Sequence, residues 1–324
     1  MQNLATVATQ VGVLFALMAV GALCRMRRLV DEAAVKGMVN VLILVVTPCL
    51  IVDVFQRPFD PSMLRSFGAA FAIAVAVHGA LIAIARFTAR GDAGSLPVLR
   101  LATVFSNAGF MGVPLEYAIL GAEGVFYGIV YVATFNVFIW SWGLKEMRGK
   151  RGQGDRGQGS GGREEGGRCR GLRPMLLNPG TVGIALGLPI FLFSVTLPQV
   201  VKTPVHFLSE MNTPLAMLVI GFYLAGADFR RVLRTPAAYV AAFVRLVAFP
   251  LALTGAMWFL RGHVDRTMAL ALVTASAAPV AAMVTMFSSK FGRDVDLSVG
   301  LVSGTTLLSM ATMPPVIALA MEVL

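Results

Sequence analysis

The sequence predicts an all-α membrane protein of about ten transmembrane helices, arranged as two inverted five-helix repeats with crossed broken helices. Three observations predict it. Apolar runs of about 20 residues recur from end to end, long enough to cross a bilayer as helices. One long polar segment divides these runs five and five. The basic residues of the intervening loops fall on alternate sides.

The apolar runs come first. Hydrophobic residues make up 57% of the 324-residue chain and charged residues only 14%, whereas soluble domains carry about a quarter charged residues. Backbone groups in lipid must be satisfied internally, which leaves helices or closed barrels. Long continuous runs exclude the alternation of a barrel. The candidate spans are Leu4–Cys24, Ala33–Phe55, Ser66–Ile84, Pro97–Leu120, Val125–Leu144, Asn178–Val195, Val205–Gly226, Ala237–Leu260, Thr267–Phe287 and Leu297–Val323. A first repeat, 1–144, is thus expected, then a flexible cytoplasmic linker, 145–177, then a second, inverted repeat, 178–324. The linker is rich in Gly, Arg and Gln without periodicity, a composition that cannot bury enough apolar surface to order itself.

Charge sets the orientation. Of the 27 Lys and Arg residues, 21 fall in loops on the linker side, five on the other side, and Arg245 lies within a span. The positive-inside rule puts the linker in the cytoplasm and both termini outside, in a cell (inner) membrane. No basic residue precedes the first apolar run, as a cleavable signal peptide would require. The formal charge of +10 does not point to nucleic acid, because it sits in loops between spans. Cys24, Cys49 and Cys169 form neither a disulfide framework nor a metal site.

With an odd number of spans per half, the second half is inserted upside down, the condition for an inverted-repeat transporter. Weak echoes support it. Thr47-Pro48 recurs as Thr213-Pro214 after 166 residues, and His78 and Arg245 lie 167 apart. The fourth span holds Asn107-Ala108-Gly109 with Gly112 and Pro114, and the ninth holds Ser276-Ala277-Ala278-Pro279. Each is expected to break there, exposing half-helix ends that can face a carboxylate or a cation.

The stretch Asn107-Ala108-Gly109-Phe110-Met111-Gly112-Val113-Pro114-Leu115 resembles the N-x-x-x-M-G-[IV]-P-L signature of the auxin efflux carrier family. Asn178-Pro179-Gly180-Thr181 is similar to that family's N-P-x-T after the central loop, and Leu301 to Leu319, with Ser303, Thr305, Ser309 and Pro314, is similar to its last span. The resemblance covers nearly the whole chain and lies with the bacterial permease branch. It departs from the plant pattern at Val182 and in the short central loop. It implies two five-helix halves whose fourth and ninth spans cross at their broken centres, a fold shared with bile acid–sodium symporters. It also implies a substrate-contacting asparagine at Asn107 and a homodimer through the scaffold. Bacterial members are often linked to malate or malonate uptake.

The expected substrate-binding set is Asn107, Gly109, Gly112, Pro114, Asn136, Asn212, Ser276 and Pro279. An asparagine supplies a donor and an acceptor without charge; glycine lets a ligand or a second helix approach the backbone. Each has a structural alternative: Gly and Pro for packing and a kink, and Asn136 for a bond between helices. Thr47 and Thr213 are expected to bond back to carbonyls freed by the prolines. Arg245 either snorkels to the inner surface or attracts an anion. His78 is either a neutral, hydrogen-bonded residue or a proton-exchanging one. Asp53 and Glu210 are expected at solvated outer ends, and Glu116 as a gate or facing outer water.

The function expected is secondary transport of small organic anions, with the lipid bilayer as surroundings and no cofactor. No metalloprotease helix or nucleotide-binding loop is found, so neither an enzyme nor an ATP-driven pump is expected. The competing readings are a membrane sensor that binds without transport and a sodium-coupled symporter of the same fold. The topology has a direct check. In intact cells, after Cys24→Ser and Cys49→Ser, an impermeant thiol reagent should leave Cys169 unlabelled until the membrane is opened. Labelling from outside would reverse the orientation.

Overall fold

The computed structural model describes residues 2–148 and 179–324. Most of the expected linker therefore lies outside the described residues, as do Asn178 and Cys169. The regular elements among the described residues are all helices, with no β-strand. Chain order runs α1 (Leu4–Met26), α2 (Glu32–Phe55), α3 (Pro61–Thr88), α4 (Ser95–Val104), α5 (Ala108–Arg148), α6 (Pro179–Leu192), α7 (Gln199–Leu224), α8 (Pro236–Leu260), α9 (Arg266–Ala277), α10 (Met283–Lys290) and α11 (Val295–Val323).

Seven of these are long and apolar enough to cross a membrane: α1, α2, α3, α5, α7, α8 and α11. The difference from ten expected spans has local causes. The fourth and ninth spans are each split into short helices. The 10 residues of α4 reach roughly 15 Å, half a bilayer core. Gly121, at φ 68°, turns α5 sharply, so that 108–120 and 122–148 are two arms of one element. The 14 residues of α6 fall short of a full crossing. The expected linker start at Lys145 is also corrected, since Leu144–Arg148 is helical.

Helix starts follow from the loops. Asp31, Asp60, Asp265 and Asp294 each accept a hydrogen bond from a backbone N–H of the following turn, at 2.7–3.0 Å, satisfying donors that have no intrahelical partner. Prolines inside the long helices are accommodated rather than disruptive. A π-turn, Leu42–Val46, precedes Thr47-Pro48 and another, Val244–Ala248, precedes Pro250, absorbing the displaced hydrogen bond. The Thr47 hydroxyl donates to the Leu42 carbonyl at 2.8 Å, as expected; no such bond is made by Thr213.

Packing joins the two halves of the chain. Helix α1 lies on α7, α2 on α6, and the arms of α5 on α9. Gly21 faces the Leu218 backbone and Gly221 faces the Met18 backbone, so closely that a Cβ at either would collide with a carbonyl. Small residues are what let membrane helices meet backbone to backbone. At one end of the helices, the one expected to face outside, Asp53 is not a free solvated end. Its carboxylate accepts from Ser209 at 2.7 Å and pairs with His206 at 3.0 Å, and His206 Nε2 lies 3.5 Å from Glu210. At the opposite end Arg231 pairs with Asp294 at 2.6 Å, and Arg293 donates to the carbonyls of Ala93 and Met147.

Gly221→Ala should therefore push α1 from α7 and destabilise the fold by about 1–3 kcal/mol. Gly12→Ala, on the same helix α1 with nothing within 4 Å, should be neutral or stabilising. Thermal unfolding in detergent reads both; equal stability of the two variants would remove the close contact from the account.

Candidate functional site: a crossing of two broken helices

The first break follows from Val104-Phe105-Ser106-Asn107, which mixes β-branched and aromatic residues with Ser and Asn side chains that compete for backbone bonds. Phe105 is extended, at φ −103°, ψ 111°. The second break is favoured by Pro279, since the residue before a proline is disfavoured in helical backbone; Ala278 stands at φ −61°, ψ 148°. The two breaks meet. Ser106 and Val280 form an antiparallel bridge. The Asn107 N–H donates to the Pro279 carbonyl at 2.6 Å, and the Ala281 N–H donates to the Phe105 carbonyl at 2.9 Å. The Val280 N–H donates to the Thr305 hydroxyl at 3.1 Å, which itself donates to the Leu301 carbonyl of α11. Thr305 is a supporting residue that the sequence reading touched only through the family resemblance.

Arg245 completes the crossing. It is fully buried, which corrects the snorkelling reading. Its Nη1 donates to the Val104 carbonyl at 3.0 Å and to Thr103 at 3.5 Å, and its Nη2 donates to the Ser276 carbonyl. These carbonyls end α4 and α9, where a helix leaves acceptors without partners and carries partial negative charge. One guanidinium therefore caps two helix C-termini, one from each half of the chain.

Beyond the first break, the N-terminus of α5 opens toward a cavity. Met111 and Gly112 make the first helical bonds, both to the Asn107 carbonyl; the N–H groups before them have no intrahelical acceptor. The cavity measures about 30 Å³ and is lined by Thr47, Gly109, Val132, Asn136, Ile184 and Asn212, among others. That is room for one or two waters. Gly109 meets only Val132, at 4.0 Å from where its Cβ would be. The side-chain amides of Asn107 and Asn212 make no hydrogen bond among the described residues, while Asn136 Nδ2 donates to the Val132 carbonyl of its own helix at 2.9 Å.

The expected set is thus partly assembled. Gly109, Asn136 and Asn212 share the cavity wall; Asn107 and Pro279 lie in the crossing. Three expectations change. Pro114 does not break its helix: it follows the π-turn Ala108–Gly112, which absorbs the displaced hydrogen bond, seven residues after the break. Gly112 packs on Ala275, whose Cα would lie 3.4 Å from a Cβ added at the glycine, rather than lining the cavity. The buried Ser276 hydroxyl donates back to Val273 at 2.8 Å, so the residue serves the crossing through its carbonyl. His78 is buried and its Nδ1 donates to the Ala74 carbonyl at 2.8 Å. Its ring stacks on Phe138 at 5.2 Å and lies 5.0 Å from Tyr131, away from the cavity wall. Glu116, expected near outer water, is fully buried.

Arg245→Met should leave these carbonyls without a donor, at roughly 1–3 kcal/mol each, and lower the unfolding temperature of the purified protein. Arg245→Lys should recover part of the loss. Unchanged stability of Arg245→Met would remove the arginine from the crossing.

A search of curated proteins finds no match to the chain. A family model described as membrane transport protein matches residues 6–166 and 170–317, almost the whole length, including both breaks and the N-terminus of α5. The chain belongs to this family of membrane transporters, the auxin efflux carrier type.

Proposed function

We propose that the chain is a secondary transporter of small organic anions, mono- or dicarboxylates such as malate or malonate, working by alternating access. The observation that carries this reading is the paired crossing, which leaves the N-terminus of α5 and the unbonded Asn212 amide at one cavity, with the unbonded Asn107 amide in the crossing two residues before Gly109 of the cavity wall. A helix N-terminus attracts negative charge, and amides orient a carboxylate without a fixed charge. In this reading the split helices count as single crossings. The chain then makes ten crossings in two oppositely oriented halves, with the termini outside and 149–178 in the cytoplasm. Substrate enters when the cavity widens, because about 30 Å³ cannot hold a dicarboxylate. The arms of α4–α5 and α9–α10 move together, joined by the bridge and by Arg245.

The test begins with a thermal-shift screen of purified protein against mono- and dicarboxylates. Accumulation of the labelled hit in vesicles then separates a carrier from a sensor. Asn107→Leu keeps the size and removes donor and acceptor. A hydrogen bond to a charged group is worth about 1.5–3 kcal/mol, so affinity should fall roughly 10- to 150-fold. Gly109→Val should fill the cavity and weaken binding although every polar group remains. Parent-like affinity in Asn107→Leu would make the crossing a structural kink.

A further inference from the structure

Glu116 is the one carboxylate among the described residues that is fully buried with both oxygens unpartnered. It projects from the arm 108–120 into a slot built of small residues. Gly112 lies one turn earlier on the same arm, with a would-be Cβ 3.7 Å from Oε1. Gly128 lies opposite on the next arm, where any Cβ would collide with the carboxyl. Across from Gly112 stands Ala275 of α9. Glycine is disfavoured inside a helix, and a leucine in place of Glu116 would fill an apolar slot without burying a polar group. The chain instead hollows a helix to seat a carboxyl.

Ionised, that carboxyl would be an uncompensated charge in a dry helix seam, which is prohibitively costly without a partner. None is at hand. Helix α9 carries Asp265 and Arg266 only at its start, α2 carries Asp53 near its outer end, and α3 carries Arg65, His78 and Arg86. The outer half of α7 carries Lys202, His206 and Glu210, α1 carries Arg25, and α5 itself carries Glu123, Tyr127 and Tyr131. None of these forms a hydrogen bond or an ion pair with Glu116 among the described residues. A metal cation would require further ligands, and no group of three or more His, Cys, Asp or Glu is gathered among the described residues.

We propose that Glu116 is a proton-binding site of the carrier: it holds a proton while its slot is closed and releases it when the arm 108–120 moves to expose it. This rests on the transport reading above, since only a moving arm brings the carboxyl to water. The moving part then carries a proton in one of its positions, which couples anion movement to proton movement. His78 is not needed for this step.

The deciding experiment is infrared spectroscopy of the purified full chain in phosphatidylethanolamine–phosphatidylglycerol liposomes at neutral pH. The parent should show the carbonyl band of a protonated carboxylic acid, and both Glu116→Gln and Glu116→Leu should lack it. Neither variant has a charge to bury, so both should fold. Identical spectra in all three proteins would overturn the proposal. So would loss of the band on adding sodium at constant ionic strength, which would make the carboxylate a cation site. Malonate uptake under an imposed pH gradient supplies the second readout. Accumulation by the parent should rise when the exterior is made acidic, and Glu116→Gln should lose that response; a retained response overturns the proposal. Failure of the parent to take up malonate counts against malonate as substrate in the preceding reading, and the infrared comparison still decides Glu116.

Discussion

Inside a membrane an unpaired backbone group has no water to turn to, and the two helix breaks are where this chain faces that constraint. Each break frees carbonyls at the end of one helix and N–H groups at the start of the next. The freed groups find each other. Phe105 and Asn107 pair with Ala281 and Pro279 around the Ser106–Val280 bridge. Arg245 takes the remaining carbonyls of Thr103, Val104 and Ser276. Thr305 takes the Val280 N–H. Irregular backbone is tolerated at membrane depth because protein surrounds it on every side.

Two consequences follow for the site. The breaks are bonded to each other, and in the proposed transport cycle the two broken helices therefore move together. The C-terminal ends of α4 and α9 are neutralised by a cation, whereas the N-terminus of α5 is left facing the cavity, with Gly109 in its wall. In the proposed function, that asymmetry favours anions without placing a free positive charge in the cavity. A charge held by three carbonyls binds no substrate permanently, which suits a carrier that must release what it binds.

Much of this was legible in the sequence, and what was not has definite physical reasons. The helical class, the pairing of breaks in the fourth and ninth spans, and the role of Asn107 as the residue at the break follow from hydropathy, Pro279 and the family signature. Span count was harder to read, because Gly121 merges a half-span with its successor and a hydropathy run does not show a left-handed turn. Pro114 points in sequence to a break that is not there, because the π-turn Ala108–Gly112 that accommodates it leaves no mark in a hydropathy run. Arg245 was visible as a costly intramembrane charge, but its acceptors come from residues 142 and 31 positions away, beyond any local pattern. Glu116 looked like an outer residue because the slot that encloses it is made by Gly128, brought back by the turn at Gly121, and by Gly112, packed against Ala275 of α9.

The pairing of the two breaks is tested most directly by joining them covalently. In a background lacking Cys24, Cys49 and Cys169, Ser106→Cys and Val280→Cys place thiols on residues directly opposite in an antiparallel pair, where Cβ atoms stand about 4.5–5.5 Å apart. A protease site inserted within 149–178 then reports the outcome. Oxidation in native membranes should form the disulfide and keep the two halves together after cleavage under non-reducing conditions. Halves that separate, with each single cysteine still reactive and each protein folded, would contradict the crossing on which the account depends.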